Sequence, residues 1–239
     1  MNKLPLTKKQ IIDLFKKQKK LISSSEIIDL QYSEGRILSQ DIKSQINIPP
    51  FNNSAVDGYA LLKKDLNLKK TFICKRRVAA GDNKKIVVKS GEAVRVFTGA
   101  KMPSNSSTVV MQENVRVKGN FITLLKTPQF GENYRIKGED IKKNKMILPI
   151  GTKINHQNLN LIAAAGVRKI KVYKKIKIGF FTSGNELRKP TKKLKNAEIN
   201  NSNYYALNTL LDKKYITKKY LGNLKDNLVT VKKSLIKWG

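Results

Sequence analysis

The hydrophobic period changes twice along these 239 residues, and each change confines what the chain can fold into. Near the N-terminus, Thr7-Lys8-Lys9-Gln10 has the form of a capping box. Ile11, Ile12, Leu14, Phe15 and Leu21 then recur at roughly helical spacing, which predicts an amphipathic helix over 7–22. A second short helical piece is expected over 25–33, stopped at Gly35. From Ile46 to about Asp140 the texture turns to short β-branched runs, at 85–89, 93–97, 108–111 and 121–125, punctuated by Gly, Pro, Ser and Asn. This is the texture of a compact β-rich domain. Residues 146–168 return to a strand, a turn at Gly151 and a helix near 157–165 closed by Gly166, material able to rejoin the N-terminal elements and leave the β-rich part as an insertion. After Val172, strands at 176–181 and 215–221 alternate with helices at 203–211 and 224–236, the start of a doubly wound sheet. Two strands and two helices cannot cover a parallel sheet on both faces, so this last region reads as unfinished. The expected fold is therefore α/β and multidomain. Residues 1–45 and 141–172 form a helix-plus-strand domain, 46–140 an inserted β-rich domain, and 173–239 an incomplete α/β domain.

Composition narrows the function classes. No run approaches the roughly 20 apolar residues of a membrane-spanning helix, and Met1-Asn2-Lys3-Leu4-Pro5 leads into a charged helix, which points to a soluble cytoplasmic protein. Cys74 and His156 are the single cysteine and histidine, so an internal disulfide and a Cys/His zinc cluster are both excluded, and any metal must sit on oxygen ligands. His156 reads as a surface residue at a helix start and Cys74 as a small buried strand residue. With Lys+Arg at 49 and Asp+Glu at 17, the formal charge is +32, enough to attract nucleic acid, anionic lipid or an anionic substrate. The 49 cations are 41 Lys and 8 Arg, spread along every segment. Arg is the residue suited to bidentate phosphate and base contacts, so its scarcity weighs against a nucleic-acid function. Joint enrichment in Lys, Asn and Ile follows from compositional bias alone.

Four segments carry chemistry. Pro49-Pro50-Phe51-Asn52-Asn53-Ser54-Ala55-Val56-Asp57-Gly58-Tyr59-Ala60 puts extended proline backbone, small residues, a glycine and one carboxylate at the entrance to the β-rich region. Such a loop admits a ligand close to the backbone, with Asp57 able to accept hydrogen bonds or reach a hydrated metal. The plain alternative is a turn with an Asp cap. Val96-Phe97-Thr98-Gly99-Ala100-Lys101-Met102-Pro103, with Val109-Val110-Met111-Gln112-Glu113 behind it, is the second. Asn133-Tyr134-Arg135-Ile136-Lys137-Gly138-Glu139-Asp140-Ile141 is the third. Thr182-Ser183-Gly184-Asn185-Glu186-Leu187, with Ile199-Asn200-Asn201-Ser202-Asn203 downstream, is the fourth, and it places Glu186 beyond a strand's C-terminal end, where open α/β sheets bind ligands.

In this order and spacing the segments resemble the molybdopterin molybdenumtransferases, the MoeA and gephyrin E-domain family, over essentially the whole chain. The resemblance implies insertion of molybdate into adenylylated molybdopterin with release of AMP, in molybdenum-cofactor biosynthesis, with Mg²⁺ as cofactor. It implies catalytic roles for Asp57, Thr98, Glu186 and Asp226, with Asp57, Glu186 and Asp226 on the metal. Substrate binding is expected from Ser54, Gly99, Lys101, Arg135 and Asp140. Molybdate needs donors and positive charge, which the Thr98 hydroxyl, the Gly99 and Ala100 N–H groups, Lys101 and Arg135 are placed to offer. Mg²⁺ takes one or two carboxylates plus phosphate oxygens and water. Glu139-Asp140 reads equally as an acid pair bridging to Lys137 or Arg135, Asp226 as a helix N-terminal acid, and Lys101 as one more solvated lysine.

The resemblance further implies a MogA-like last domain, a homodimer whose cleft draws on the partner's β-rich domain, and contact with the molybdopterin adenylyltransferase. Asn52 and Asn201 stand where the family pattern has Asp, so both read as structural caps. The family's S-G-G-x-S-x-G phosphate loop has no counterpart in these residues, and the chain reads as an N-terminal fragment with little or no turnover of its own. Two other readings stay open: a basic nucleic-acid-associated protein, and a non-catalytic scaffold as in the gephyrin branch, against which the lack of a long linker speaks.

Overall fold

A computed structural model of the chain describes residues 6–17 and 24–238. Contacts divide it into two units. One comprises Met1–Ile42, Leu148–Ala163 and Arg168–Gly239; the other comprises Lys43–Ile147 and Ala164–Val167.

The first unit opens with helix α1 (Lys8–Lys17). The capping box forms as its chemistry dictates: the Gln10 N–H donates to Thr7 Oγ1 at 3.3 Å and the Thr7 N–H to Gln10 Oε1 at 2.8 Å. The expected continuation over 18–22 lies outside the described residues. Residues 25–33 are not helical. Ser25–Asp29 is strand β1, followed by one 3-10 turn at Leu30–Tyr32. Gly35 does adopt the left-handed conformation, at φ 73°.

The second unit is built on a six-stranded sheet of β2 (Gly58–Leu62), β3 (Thr71–Val78), β4 (Glu92–Val96), β5 (Ser106–Met111), β6 (Val115–Lys118) and β7 (Phe121–Leu124), in the order β5-β2-β4-β3-β7-β6. Neighbours are antiparallel except β3 and β4, which run parallel. Strand β2 lies inside the sheet, and every one of its residues is buried. Alternation sends Tyr59 and Leu61 into one core with Phe72, Val110 and Ile122, while Ala60 and Leu62 enter another with Val78, Val94 and Val109. Gly58 is required where β2 starts, because a Cβ there would lie 2.1 Å from the Val110 carbonyl oxygen. The expected strand at 85–89 reduces to one bridge, Val87 with Ser104. The Val87 carbonyl instead accepts from the Arg76 guanidinium at 3.0 Å.

Helix α2 (His156–Ala164) starts at a reciprocal pair in which the Asn158 N–H donates to Asn155 Oδ1 at 2.8 Å and the Asn155 N–H to Asn158 Oδ1 at 3.1 Å. His156 is exposed at its first turn. Strand β8 (Lys169–Tyr173) then pairs antiparallel with β1, Ser25 opposite Tyr173. The buried Arg36 ties the pair together, donating to Glu26 Oε1 at 2.5 Å and to the Tyr173 carbonyl at 2.8 Å. Strand β9 (Ile176–Ser183), helix α3 (Ser202–Leu210), strand β10 (Ile216–Leu224) and helix α4 (Leu228–Trp238) complete the chain. β9 and β10 run parallel, Ile176 opposite Ile216 and Ser183 opposite Leu224, with α3 as the crossover that parallel strands need. Tyr204 fastens α3 to the strands, its ring 4.5 Å from Tyr220 and 6.3 Å from Phe180. Among the described residues no helix is long and apolar enough to cross a membrane.

Candidate active site

In the second unit the turn ahead of β2 and the loop after β4 lock together around Asp57. The Thr98 N–H and hydroxyl both donate to Asp57 Oδ1, at 2.8 and 2.9 Å. The backbone on either side is pinned as well, by Ser54 N–H to the Ala100 carbonyl at 3.0 Å and Gln112 N–H to the Asp57 carbonyl at 3.1 Å. The Thr98 backbone bond, then its hydroxyl, hold the Asp57 carboxyl below its ordinary value of 3.8, with the Arg95 charge adding to the effect. Both bonds fall on one carboxylate oxygen. Oδ2 accepts none among the described residues, which leaves it open toward a metal or a substrate proton.

Several expected oxyanion donors are committed elsewhere. The Gly99 N–H donates to the Ser54 carbonyl at 2.8 Å and the Ala100 N–H to the Phe97 carbonyl at 2.9 Å. Ser54 is buried, and its hydroxyl donates to the Val56 carbonyl at 2.6 Å. In this arrangement Ser54 and Gly99 shape the loop rather than face a ligand. Arg135 is engaged too, at 2.6 Å from both Glu139 Oε1 and Asp140 Oδ2. These carboxylates, Glu139 first, raise its pKa further, and the loop between is closed by Ile136 N–H on Glu139 Oε2 at 2.8 Å. Lys101 is exposed and lines an open cavity of about 640 Å³ together with Asn52, Met102, Tyr134 and Lys137. Asn52 is a cap, donating to Tyr134 Oη at 2.8 Å and accepting from the Lys137 N–H at 2.8 Å.

Sequence reasoning missed Arg95. Its guanidinium carbon lies 4.9 Å from the centre of the Tyr59 ring and 5.2 Å from that of Phe97. One nitrogen donates to the Gln112 side chain. The available signal was its place two residues before Phe97, a spacing that puts both side chains on one side of extended backbone.

Glu186 and Asp226 belong to the first unit. Asp226 Oδ1 accepts from the Ser183 hydroxyl at the end of β9. It is not the helix cap: Asn227 Oδ1 accepts from the N–H groups of Val229 and Thr230 at 2.9 and 3.2 Å. The Glu186 carboxylate curls over Gly184, where a Cβ would meet its oxygens at 2.7 and 2.8 Å. Asn201 caps α3, accepting from the Tyr204 N–H at 3.1 Å, and its amide donates to Thr182 Oγ1 at 2.8 Å. Beside it, Lys189, Pro190, Tyr204, Tyr205 and Tyr220 line a cavity of about 290 Å³. Among the described residues no three His, Cys, Asp or Glu side chains gather as a metal cage.

Residues 6–166 match the family model described as the MoeA N-terminal region (domain I and II). The chain belongs to the MoeA family. The molybdopterin molybdenumtransferase of Haemophilus influenzae is 34% identical over 215 residues, covering 90% of this chain and 53% of its own length. A relative of the same name from a Nostoc species is 34% identical over 208 residues, 85% of this chain and 48% of its own. A crystal structure of the molybdopterin biosynthesis MoeA protein from Pyrococcus horikoshii matches with a TM-score of 0.83 and 32% identity, over 90% of this chain and 58% of that one. The chain thus spans about half the length of the curated MoeA relatives it matches. The matched family region holds Asp57, Arg95, Thr98, Lys101, Arg135 and Asp140.

Proposed function

We propose that this MoeA-family chain serves molybdenum-cofactor biosynthesis, inserting molybdate into adenylylated molybdopterin with release of AMP. One observation carries the reading most: Asp57 is held ionised by two Thr98 donors on a single oxygen, with the other oxygen open. A carboxylate so placed orients a hydrated cation or accepts a proton at a fixed position. Asp57, Glu186 and Asp226 are all hard oxygen donors, which suits Mg²⁺ shared with a phosphate ligand rather than caged by protein alone. When bound, the ion would neutralise charge on the departing phosphate. Thr98 fixes Asp57; Ser183 fixes Asp226 in the other unit; Lys101 and Lys137 bring positive charge to the cavity over Asn52. The same reading extends to a MogA-like completion of the β9–β10 sheet, a cytoplasmic homodimer and contact with the adenylyltransferase that supplies the substrate.

The test is AMP release from adenylylated molybdopterin, with molybdate and Mg²⁺, by the protein expressed from its full reading frame. Turnover that falls by about two orders of magnitude in Asp57→Asn supports the reading. Absence of turnover, or an Asp57→Asn variant as fast as the wild type, overturns it.

A further inference from the structure

The second unit's candidate site leaves an oxyanion with few partners. The backbone N–H groups of Thr98, Gly99 and Ala100 are spent within the chain, and Arg135 is neutralised by Glu139 and Asp140. Arg95 is different. It sits on β4 opposite Tyr59 of β2, and its guanidinium packs over the rings of Tyr59 and Phe97. Its hydrogen bond goes to a neutral group, the Gln112 side-chain carbonyl, and the Gln112 N–H in turn holds the Asp57 backbone at 3.1 Å. Arg76 of the same unit has a carboxylate at 2.5 Å, whereas Arg95 forms no ion pair among the described residues. Three neutral groups therefore fix a planar cation beside Asp57, with most of its donors uncommitted. A guanidinium immobilised in this way gives up little further freedom on binding and matches a tetrahedral oxyanion bidentately.

We propose that Arg95 is an oxyanion-binding residue, offering its remaining N–H groups to a phosphate of the substrate or to molybdate. The proposal rests on the transferase reading only for the identity of these two ligands. The Arg95 Nε–H resonance, assigned by its loss in Arg95→Lys, is followed while the full chain is titrated with inorganic phosphate, molybdate and, at matched ionic strength, chloride. A saturable shift of Arg95 with phosphate or molybdate, absent with chloride and absent at Arg116 on β6, is the expected result. The tighter of the two oxyanions identifies the source. Equilibrium dialysis should then show at least tenfold weaker retention of that oxyanion by Arg95→Ala, with Arg95→Lys between it and the wild type. Near-ultraviolet circular dichroism checks that the variants keep the fold, and Gln112→Ala, which frees the guanidinium without removing it, should weaken binding less than Arg95→Ala. A resonance that moves equally with all three anions, or no shift at all, overturns the proposal. AMP release by the full-length protein alongside undiminished oxyanion binding in Arg95→Ala would also overturn it, while leaving the transferase reading in place.

Discussion

Thr98 is the largest influence on the Asp57 carboxyl, and its two bonds are separable. Thr98→Val deletes the hydroxyl donor at 2.9 Å and keeps the backbone donor at 2.8 Å, which is the larger influence. The Asp57 carboxyl should therefore rise only part of the way back and stay below 3.8, as a carboxyl carbon NMR titration would show. The sign for stability follows from linkage. A depressed folded-state value means the unfolded chain binds the proton more readily. The stabilisation is thus present above about pH 4 and disappears as the pH falls through the folded value, and Thr98→Val should shrink that acid-limb loss. At this scale the sequence makes Asp57 and Thr98 visible as a pair of motifs. It hides that they bond each other, and that the Gly99 N–H is spent on the Ser54 carbonyl, because the two loops that meet lie 41 residues apart in the chain, Asp57 to Thr98, and only the fold brings them together.

Two contacts decide whether the β-rich sheet can present that site. Gly58→Ala would push a Cβ to 2.1 Å from the Val110 carbonyl, a contact with rigid backbone that must separate β2 from β5. A loss of about 3 kcal/mol in denaturant unfolding is expected. An Ala variant as stable as the wild type would show that the strand pair is looser than described. Asp65 is the other contact: buried, it accepts from the Ser90 hydroxyl and the Gly91 N–H, both at 2.8 Å, and so pins the turn before β4. Asp65→Ala strands both donors and should cost about 2 kcal/mol in the same measurement. Elements whose cause is local were legible: the Thr7–Gln10 cap of α1, the short β-branched runs of β4 and β7, and the apolar β9. Elements whose cause is distant were not. Ser25–Asp29 reads as a helical piece until Lys169–Tyr173 supplies its ladder. Strand β3 carries Lys75, Arg76 and Arg77 through its middle, which conceals it from any apolar pattern, and its state is set by β4 on one side and β7 on the other.

Over the whole molecule the charge of +32 demands an account, and its placement supplies one. Exposed lysines occur on both units: Lys8 and Lys9 on α1, Lys63 and Lys64 after β2, Lys118 on β6, Lys142 and Lys143, Lys192 and Lys193, and Lys213 and Lys214. Half of the eight arginines, Arg36, Arg76, Arg135 and Arg188, are each occupied by a carboxylate. Dispersed ammonium groups attract a polyanion through counterion release without fixing its register. The chain should accordingly bind duplex DNA and single-stranded RNA alike at low salt. That binding should weaken steeply, to a Kd above about 10 µM near 150 mM salt, without sequence preference. Fluorescence anisotropy across a salt series measures it. Binding that stays tight at physiological ionic strength, or that distinguishes one sequence from another, would mean the lysines form a recognition surface. The anionic partner would then have to be sought among nucleic acids rather than at Asp57 and Arg95.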